Sequence, residues 1–281
     1  MKKQFLFLAL GLTLLCSCKK DTNNTEILPA PTGTLEGFVT LTDEFGVAIP
    51  YVNDPNYSGV KVSLDSTGYS ATTDSNGKYL LKGIPSNAFY NFTFSKAGYG
   101  SYNNRNFQFT LAGGNAPLLT VNPTTLYKLS STNVLSLTAV SNPPVRNIST
   151  ITLTAALNNS NLGANNTMGA LIFFSTKPNV SPTNYEGIII PATVNASPSN
   201  VTTNINPANF YAYQSTLTGV SQTTVNYSFP VNTPLYFIAY GYSNGATSTY
   251  TTNSYINTIY GITVFPNLNA TPSTIQSAVV Q

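Results

Sequence analysis

The residue types that most often carry chemistry are scarce in this 281-residue chain. Histidine is absent. That removes Ser-His-Asp and Cys-His nucleophilic sets and every imidazole metal ligand. The only thiols are Cys16 and Cys18. Glycoside hydrolysis usually needs two carboxylates flanking one bond. Beyond Leu129 the only charged residues are Arg146, Lys177 and Glu186, and one carboxylate cannot supply both acid and base. Glu36, Asp43, Glu44, Asp54, Asp65 and Asp74 lie earlier, mostly at turns, where acidic residues have structural reasons to occur. Asp74-Ser75-Asn76-Gly77 opens like a calcium loop but lacks the later ligands and terminal Glu of such loops. It predicts a hairpin turn instead, with Gly77 accepting positive φ. Asp43, Glu44 and Asp74 are the three carboxylates that a fold could bring together around calcium. Gly113-Gly114 is not followed by Lys-Ser/Thr, so no phosphate loop is present. The expectation is no catalytic residue, no cofactor and no metal site.

Cysteine chemistry has a different reading. Lys2 and Lys3 precede an apolar run from Phe5 to Leu15, the order of a secretory signal peptide. The run is too short to span a bilayer, which takes about 20 apolar residues. Leu15-Cys16-Ser17-Cys18 then resembles the bacterial lipobox, with a small residue just before the modified cysteine. The resemblance implies cleavage before Cys18 and a thioether-linked diacylglycerol on its sulfur. Cys16 is the rival site, but it follows the bulky Leu15. A Cys16–Cys18 disulfide is the alternative use of these thiols. After cleavage Cys18 alone remains, and an odd cysteine in an exported chain calls for an explanation. Buried acyl methylenes contribute about 0.8 kcal/mol each, so two or more chains anchor stably. Lys19-Lys20-Asp21 resembles the short charged signals that send Bacteroidota lipoproteins to the cell surface. The expected location is therefore the outer membrane, on its cell-surface or periplasmic side.

Composition narrows the fold. Charged residues make up 7% and the formal net charge is +3. Losing Lys2 and Lys3 leaves ten basic residues against nine acidic ones. No basic patch suits a phosphate backbone, so nucleic acid is excluded as a partner. Tyr (18) and Phe (15) are plentiful and Trp is absent. Strand formers dominate, and the class is all-β.

Residues 1–17 are read as the signal peptide. Residues 18–33 (polar, with two prolines) form a lipidated flexible tether. From Thr34 the pattern is short strands broken by turns. Leu35, Phe38 and Leu41 open the first strand. Val60 to Leu64 and Tyr90 to Phe94 alternate with period two, and Gly83-Ile84-Pro85 breaks a run. The stretches Gly37-Phe38-Val39, Gly59-Val60-Lys61-Val62, Thr73 to Tyr79, Gly83-Ile84-Pro85 and Lys96-Ala97-Gly98-Tyr99 resemble the carboxypeptidase regulatory-like domain. That family is a small transthyretin-like β-sandwich and not itself a peptidase. An insert at 51–57 lengthens its first turn. Leu118 to Leu129 supplies its last strand or two, and Ser130-Ser131-Thr132 is the joint.

Residues 131–281 are again strand-patterned. Candidates are Val134 to Val140, Ile148 to Leu157, Ala170 to Ser175, Gly187 to Ile190, Phe210 to Leu217, Tyr227 to Phe229, Leu235 to Tyr242 and Ile259 to Phe265. Residues Gly169 to Pro178 and Pro234 to Gly245 resemble strands of Bacteroidota fibronectin type III-like modules, without that family's Trp. An Asn-rich insert around Ala192 to Pro207 is another departure. Along Leu235 to Tyr242, either Leu235, Phe237 and Ala239 or Tyr236, Ile238 and Tyr240 face the core. The expected architecture is two consecutive β-sandwich domains, transthyretin-like over 34–130 and Ig/fibronectin III-like over 131–281.

The leading functional expectation is a membrane-anchored, non-enzymatic adhesion, assembly or scaffolding module. The alternative is a carbohydrate-binding surface lipoprotein, and an enzyme of undefined type ranks third. Partners are the membrane, through the lipid, and a protein or glycan ligand. Tyr99, Tyr102, Tyr211, Tyr213, Tyr250 and Tyr255 are the candidate contact residues, because tyrosine joins an apolar ring to a polar tip.

Overall fold

The computed structural model describes residues 31–49, 56–86, 88–110, 118–146, 148–214, 223–245, 255–257 and 262–281. Cys18, the signal peptide, most of the 51–57 insert and Tyr250 lie outside the described residues. Every regular element described is a β-strand. No helix among these residues is long and apolar enough to cross a membrane.

The first strands are β1 (Thr32–Thr42), β2 (Lys61–Leu64), β3 (Ser70–Thr72), β4 (Lys78–Pro85), β5 (Ala88–Ser95), β6 (Tyr102–Phe109), β7 (Leu118–Thr120) and β8 (Thr124–Tyr127). They make two sheets. One has the order β4-β1-β7, with β8 also on β1, and the other β3-β2-β5-β6. β1 pairs in antiparallel fashion with β4 and in parallel with β7 and β8. Period-two alternation turns Leu35, Val39 and Leu41 inward against Val62, Phe92 and Phe94. Phe38 takes the outer face, with the Lys78 ammonium 6.0 Å from its ring centroid. The break expected at Gly83-Ile84-Pro85 is absent. β4 runs through it, because Gly83 adopts φ +70° opposite a register shift between Gly33 and Thr34. A glycine-bearing bulge absorbs the irregularity without ending the strand.

The later strands are β9 (Asn133–Val145), β10 (Ile148–Asn158), β11 (Thr167–Ser175), β12 (Gly187–Ile189), β13 (Ser199–Ile205), β14 (Phe210–Gln214), β15 (Thr223–Tyr227), β16 (Pro234–Asn244), β17 (Tyr255–Asn257), β18 (Ile262–Val264) and β19 (Gln276–Val279). A three-stranded sheet, β13-β10-β9, faces a six-stranded one, β15-β14-β12-β11-β16-β19. Between them lies a core built on Leu153, Leu157, Phe174, Leu235 and Phe237. Two packed antiparallel sheets around a shared core are a β-sandwich.

Two further findings differ from the sequence reading. The supposed insert at 192–207 contains β13, which pairs with β10 over Ile151↔Ile205 to Leu157↔Ser199. Its inward residues are only Val201 and Ile205, too sparse to show as alternation. Second, β16 is apolar on both faces. Leu235, Phe237 and Ala239 enter the main core, while Ile238 and Tyr242 enter a second cluster with Phe173, Val180, Phe265 and Leu268. Chain following β11 and chain preceding β19 supply Val180, Phe265 and Leu268, so they cover the outer face of the larger sheet.

Candidate functional site

The densest polar chemistry lies where the first core meets the second. The turn after β1 places Glu44 at 4% exposure, and no other Asp, Glu, Lys or Arg among the described residues is buried as fully. The turn is fixed locally: Asp43 Oδ1 accepts the N–H groups of Phe45 and Val47, both at 2.9 Å. This Asx-type arrangement closes the turn on Asp43.

Every partner of Glu44 given by the hydrogen bonds comes from residues 131–243. The Ser131 N–H donates to Oε2 at 2.7 Å, and the Ser131 hydroxyl reaches both oxygens at 2.8 and 2.9 Å. The Ser243 hydroxyl donates to Oε2 at 2.6 Å, and Asn161 Nδ2 to Oε1 at 3.2 Å. A second ring of contacts holds these donors. Asn159 Nδ2 donates to Thr132 Oγ1 and Ser243 Oγ at 2.9 and 3.0 Å, and Ser130 Oγ lies 2.7 Å from Ser243 Oγ. The backbones also approach closely. A methyl group added at Gly100 would lie 1.8 Å from the Pro266 carbonyl oxygen.

Burial pushes the Glu44 carboxyl up, but hydrogen bonds from Ser243, Ser131 and Asn161 together outweigh it and leave the group below the ordinary value. Hydrogen bonds to the charged form stabilise it in this way. A carboxylate held ionised and surrounded by neutral donors is a poor general acid and a weak base. What the arrangement does well is fix two bodies in one geometry.

The other carboxylates among the described residues are also engaged. Asp74 Oδ1 accepts from the Asn76 and Lys78 N–H groups, both at 2.9 Å, closing a turn that is not the expected hairpin, because it carries the chain from β3 in one sheet to β4 in the other. Asp43, Glu44 and Asp74 therefore serve separate turns and contacts rather than one ion. No group of three or more Asp, Glu, Cys or His suited to a metal occurs among the described residues. Glu36 pairs with Lys78 at 2.9 Å, and Asp65 with Arg105. Glu186 accepts from Ser175 and Thr176.

The candidate tyrosines are not brought together. Tyr102 packs on Phe94 in the first core, with centroids 6.1 Å apart, and Tyr99 is half-buried beside it in sequence. Tyr211 is 70% exposed on β14. Tyr213 and Tyr255 are described only as backbone. Rings converge elsewhere: Tyr185 and Tyr240 meet Phe173 at 5.1 and 5.8 Å, and Tyr227 packs on Phe174 at 5.0 Å. The Glu44 contact escaped sequence reasoning because its partners lie 87 to 199 residues away. The only sequence signal was the Ser130-Ser131-Thr132 joint, which supplies part of the network.

No protein-family model matches the sequence, and no curated protein matches it. Among solved structures the chain is similar to a candidate carbohydrate-binding protein from Bacteroides uniformis, at 13% identity and TM-score 0.29, covering 78% of this chain and 93% of that one. It is similar to a DUF3823 family protein from Parabacteroides merdae, at 12% identity and TM-score 0.24, covering 90% and 100%. A type II cohesin–X-dockerin complex from Acetivibrio cellulolyticus matches at 20% identity and TM-score 0.29, over 35% of this chain and 59% of that one. At such scores, function has to be argued from the chain's own residues.

Proposed function

We propose that this chain is a lipid-anchored, non-catalytic display protein of the bacterial outer membrane, serving adhesion, assembly or scaffolding. Cys18 carries the lipid and residues 19–33 are the tether. Residues 34–130 are a carboxypeptidase regulatory-like sandwich and residues 131–281 a fibronectin type III-like one. The observation that carries the reading is the Glu44 contact. The one fully buried carboxylate among the described residues joins two cores. Such a body transmits force and holds a binding surface at a fixed attitude, which suits a display protein. The lack of histidine and the separate engagement of the carboxylates support the non-catalytic part.

The test is membrane fractionation of the full chain with fatty-acid labelling. The native chain is expected in the membrane fraction with label, and Cys18→Ser in the soluble fraction without it. Label retained by Cys18→Ser would contradict the anchor. Hydrolysis of a polysaccharide or peptide by the purified chain, abolished by one substitution, would contradict the non-catalytic reading. Carbohydrate binding is the second reading, favoured by the uncharged outer face of the β13-β10-β9 sheet.

A further inference from the structure

The β13-β10-β9 sheet has one covered face and one open face. On β10, Ile151, Leu153, Ala155 and Leu157 are each at most 1% exposed. Alternation then sends Thr150, Thr152 and Thr154 to the other side, where each is partly exposed. Pairing puts Thr138 of β9 and Thr202 of β13 in one row with Thr154. Val140 and Asn204 form the next row with Thr152, and Asn142 stands opposite Thr150. Neighbouring rows are roughly 7 Å apart and neighbouring strands about 4.8 Å.

The face is ordered by its own hydrogen bonds. Asn142 Nδ2 donates to Thr150 Oγ1 at 3.1 Å and Thr152 Oγ1 at 2.8 Å. The Thr152 hydroxyl donates to Asn204 Oδ1 at 2.7 Å, and Thr154 Oγ1 lies 3.1 Å from Thr202 Oγ1. Threonine has a restricted χ1, so little side-chain entropy is lost when a ligand docks. Each hydroxyl keeps further acceptor capacity, and the amides keep both donor and acceptor sites.

What is missing from this face is as telling. Solvent faces and edge strands normally carry Lys, Glu or Arg for solubility and to block edge pairing. No ionisable residue occurs on β9, β10 or β13. β13 forms one edge of its sheet with Asn200, Thr202 and Asn204 turned outward. An anionic polymer would find no cation on the face. A protein hot spot would want a central aromatic or Arg anchor, and the rows hold none.

We infer that the outer face of the β13-β10-β9 sheet docks a neutral, hydroxyl-rich polysaccharide chain across its Thr/Asn rows. This rests on the reading of the chain as a non-catalytic binding module and names the ligand class for it. The test uses the full mature chain in detergent. Retention is measured by affinity electrophoresis in gels carrying a neutral glucan or mannan, with polygalacturonate and heparin as anionic controls. Neutral polymers are expected to retard the native chain and anionic ones not to. Thr152→Val with Thr154→Val, which keeps shape and removes two hydroxyls, is expected to weaken retention at least tenfold. Thr202→Arg, on the edge strand, is a second variant should the first unfold, and Tyr211→Ala is a control expected to bind as the native chain does. Retardation by anionic polymers only, by no polymer, or equally by native and variant chains of native circular dichroism would overturn the inference. Membrane fractionation of Cys18→Ser tests the broader reading independently.

Discussion

Replacing Glu44 with alanine removes the acceptor of four donor groups at the junction. Two of them can turn elsewhere: the Ser131 hydroxyl is already 2.8 Å from Asn159 Oδ1, and the Ser243 hydroxyl 2.7 Å from Ser130 Oγ. Asn161 is exposed and can turn to water. The Ser131 N–H, at 2.7 Å from Oε2, loses the acceptor shown for it. Hydrogen bonds to a charged group contribute about 1.5–3 kcal/mol each, and a stranded buried donor costs about 1–3 kcal/mol. Allowing for the hydroxyls that find new partners, the expected loss is about 3 kcal/mol at pH 7. The pH dependence sharpens the test. The folded carboxyl sits below its ordinary value of 4.5, so its contribution is full above that value and lost as pH falls through the lower, folded one. Urea denaturation of native and Glu44→Ala chains at pH 7 and pH 3 reads both effects. The gap should be larger at pH 7 than at pH 3. A gap under about 0.5 kcal/mol at pH 7, or one that does not shrink in acid, would refute the reasoning.

Other perturbations follow from the same contacts. Gly100→Ala drives a methyl to 1.8 Å from the Pro266 carbonyl oxygen, and overpacking of this kind costs about 1–3 kcal/mol; thermal melts should fall accordingly. The Tyr227 phenol is pushed up to about 12 by burial, then by Glu186 and Tyr185. Its contribution is therefore full below the unfolded value near 10 and lost as pH rises toward 12; Tyr227→Phe should flatten the fall in urea midpoint between pH 9 and 11. Arg105→Met breaks a largely buried pair with Asp65 and should cost about 1.5–3 kcal/mol, as for a hydrogen bond to a charged group, read by the same urea melts.

Much of the strand pattern was legible because burial on one face leaves a period-two trace. Tyr90 to Phe94 and Val60 to Leu64 show it directly, and the turn at Asp74 to Gly77 could be read from its residue types. β13 was not legible, since Ser199–Ile205 is an edge strand with two inward apolar residues and a polar outer face. Nor was the double burial of β16, which needs distant Val180 and Phe265 to cover its second face. Glu44 looked like an ordinary turn residue. Its role depends on residues 131, 161 and 243 arriving beside it, and nothing local encodes that. The Thr/Asn rows were likewise invisible until pairing set their register.

The central claim is that two β cores act as one body, and calorimetry of the intact chain tests it most directly. Residues 31–281 should unfold in a single transition whose calorimetric and van't Hoff enthalpies agree, and Glu44→Ala should separate it into two. Two independent transitions in the native chain, unchanged by Glu44→Ala, would contradict the account.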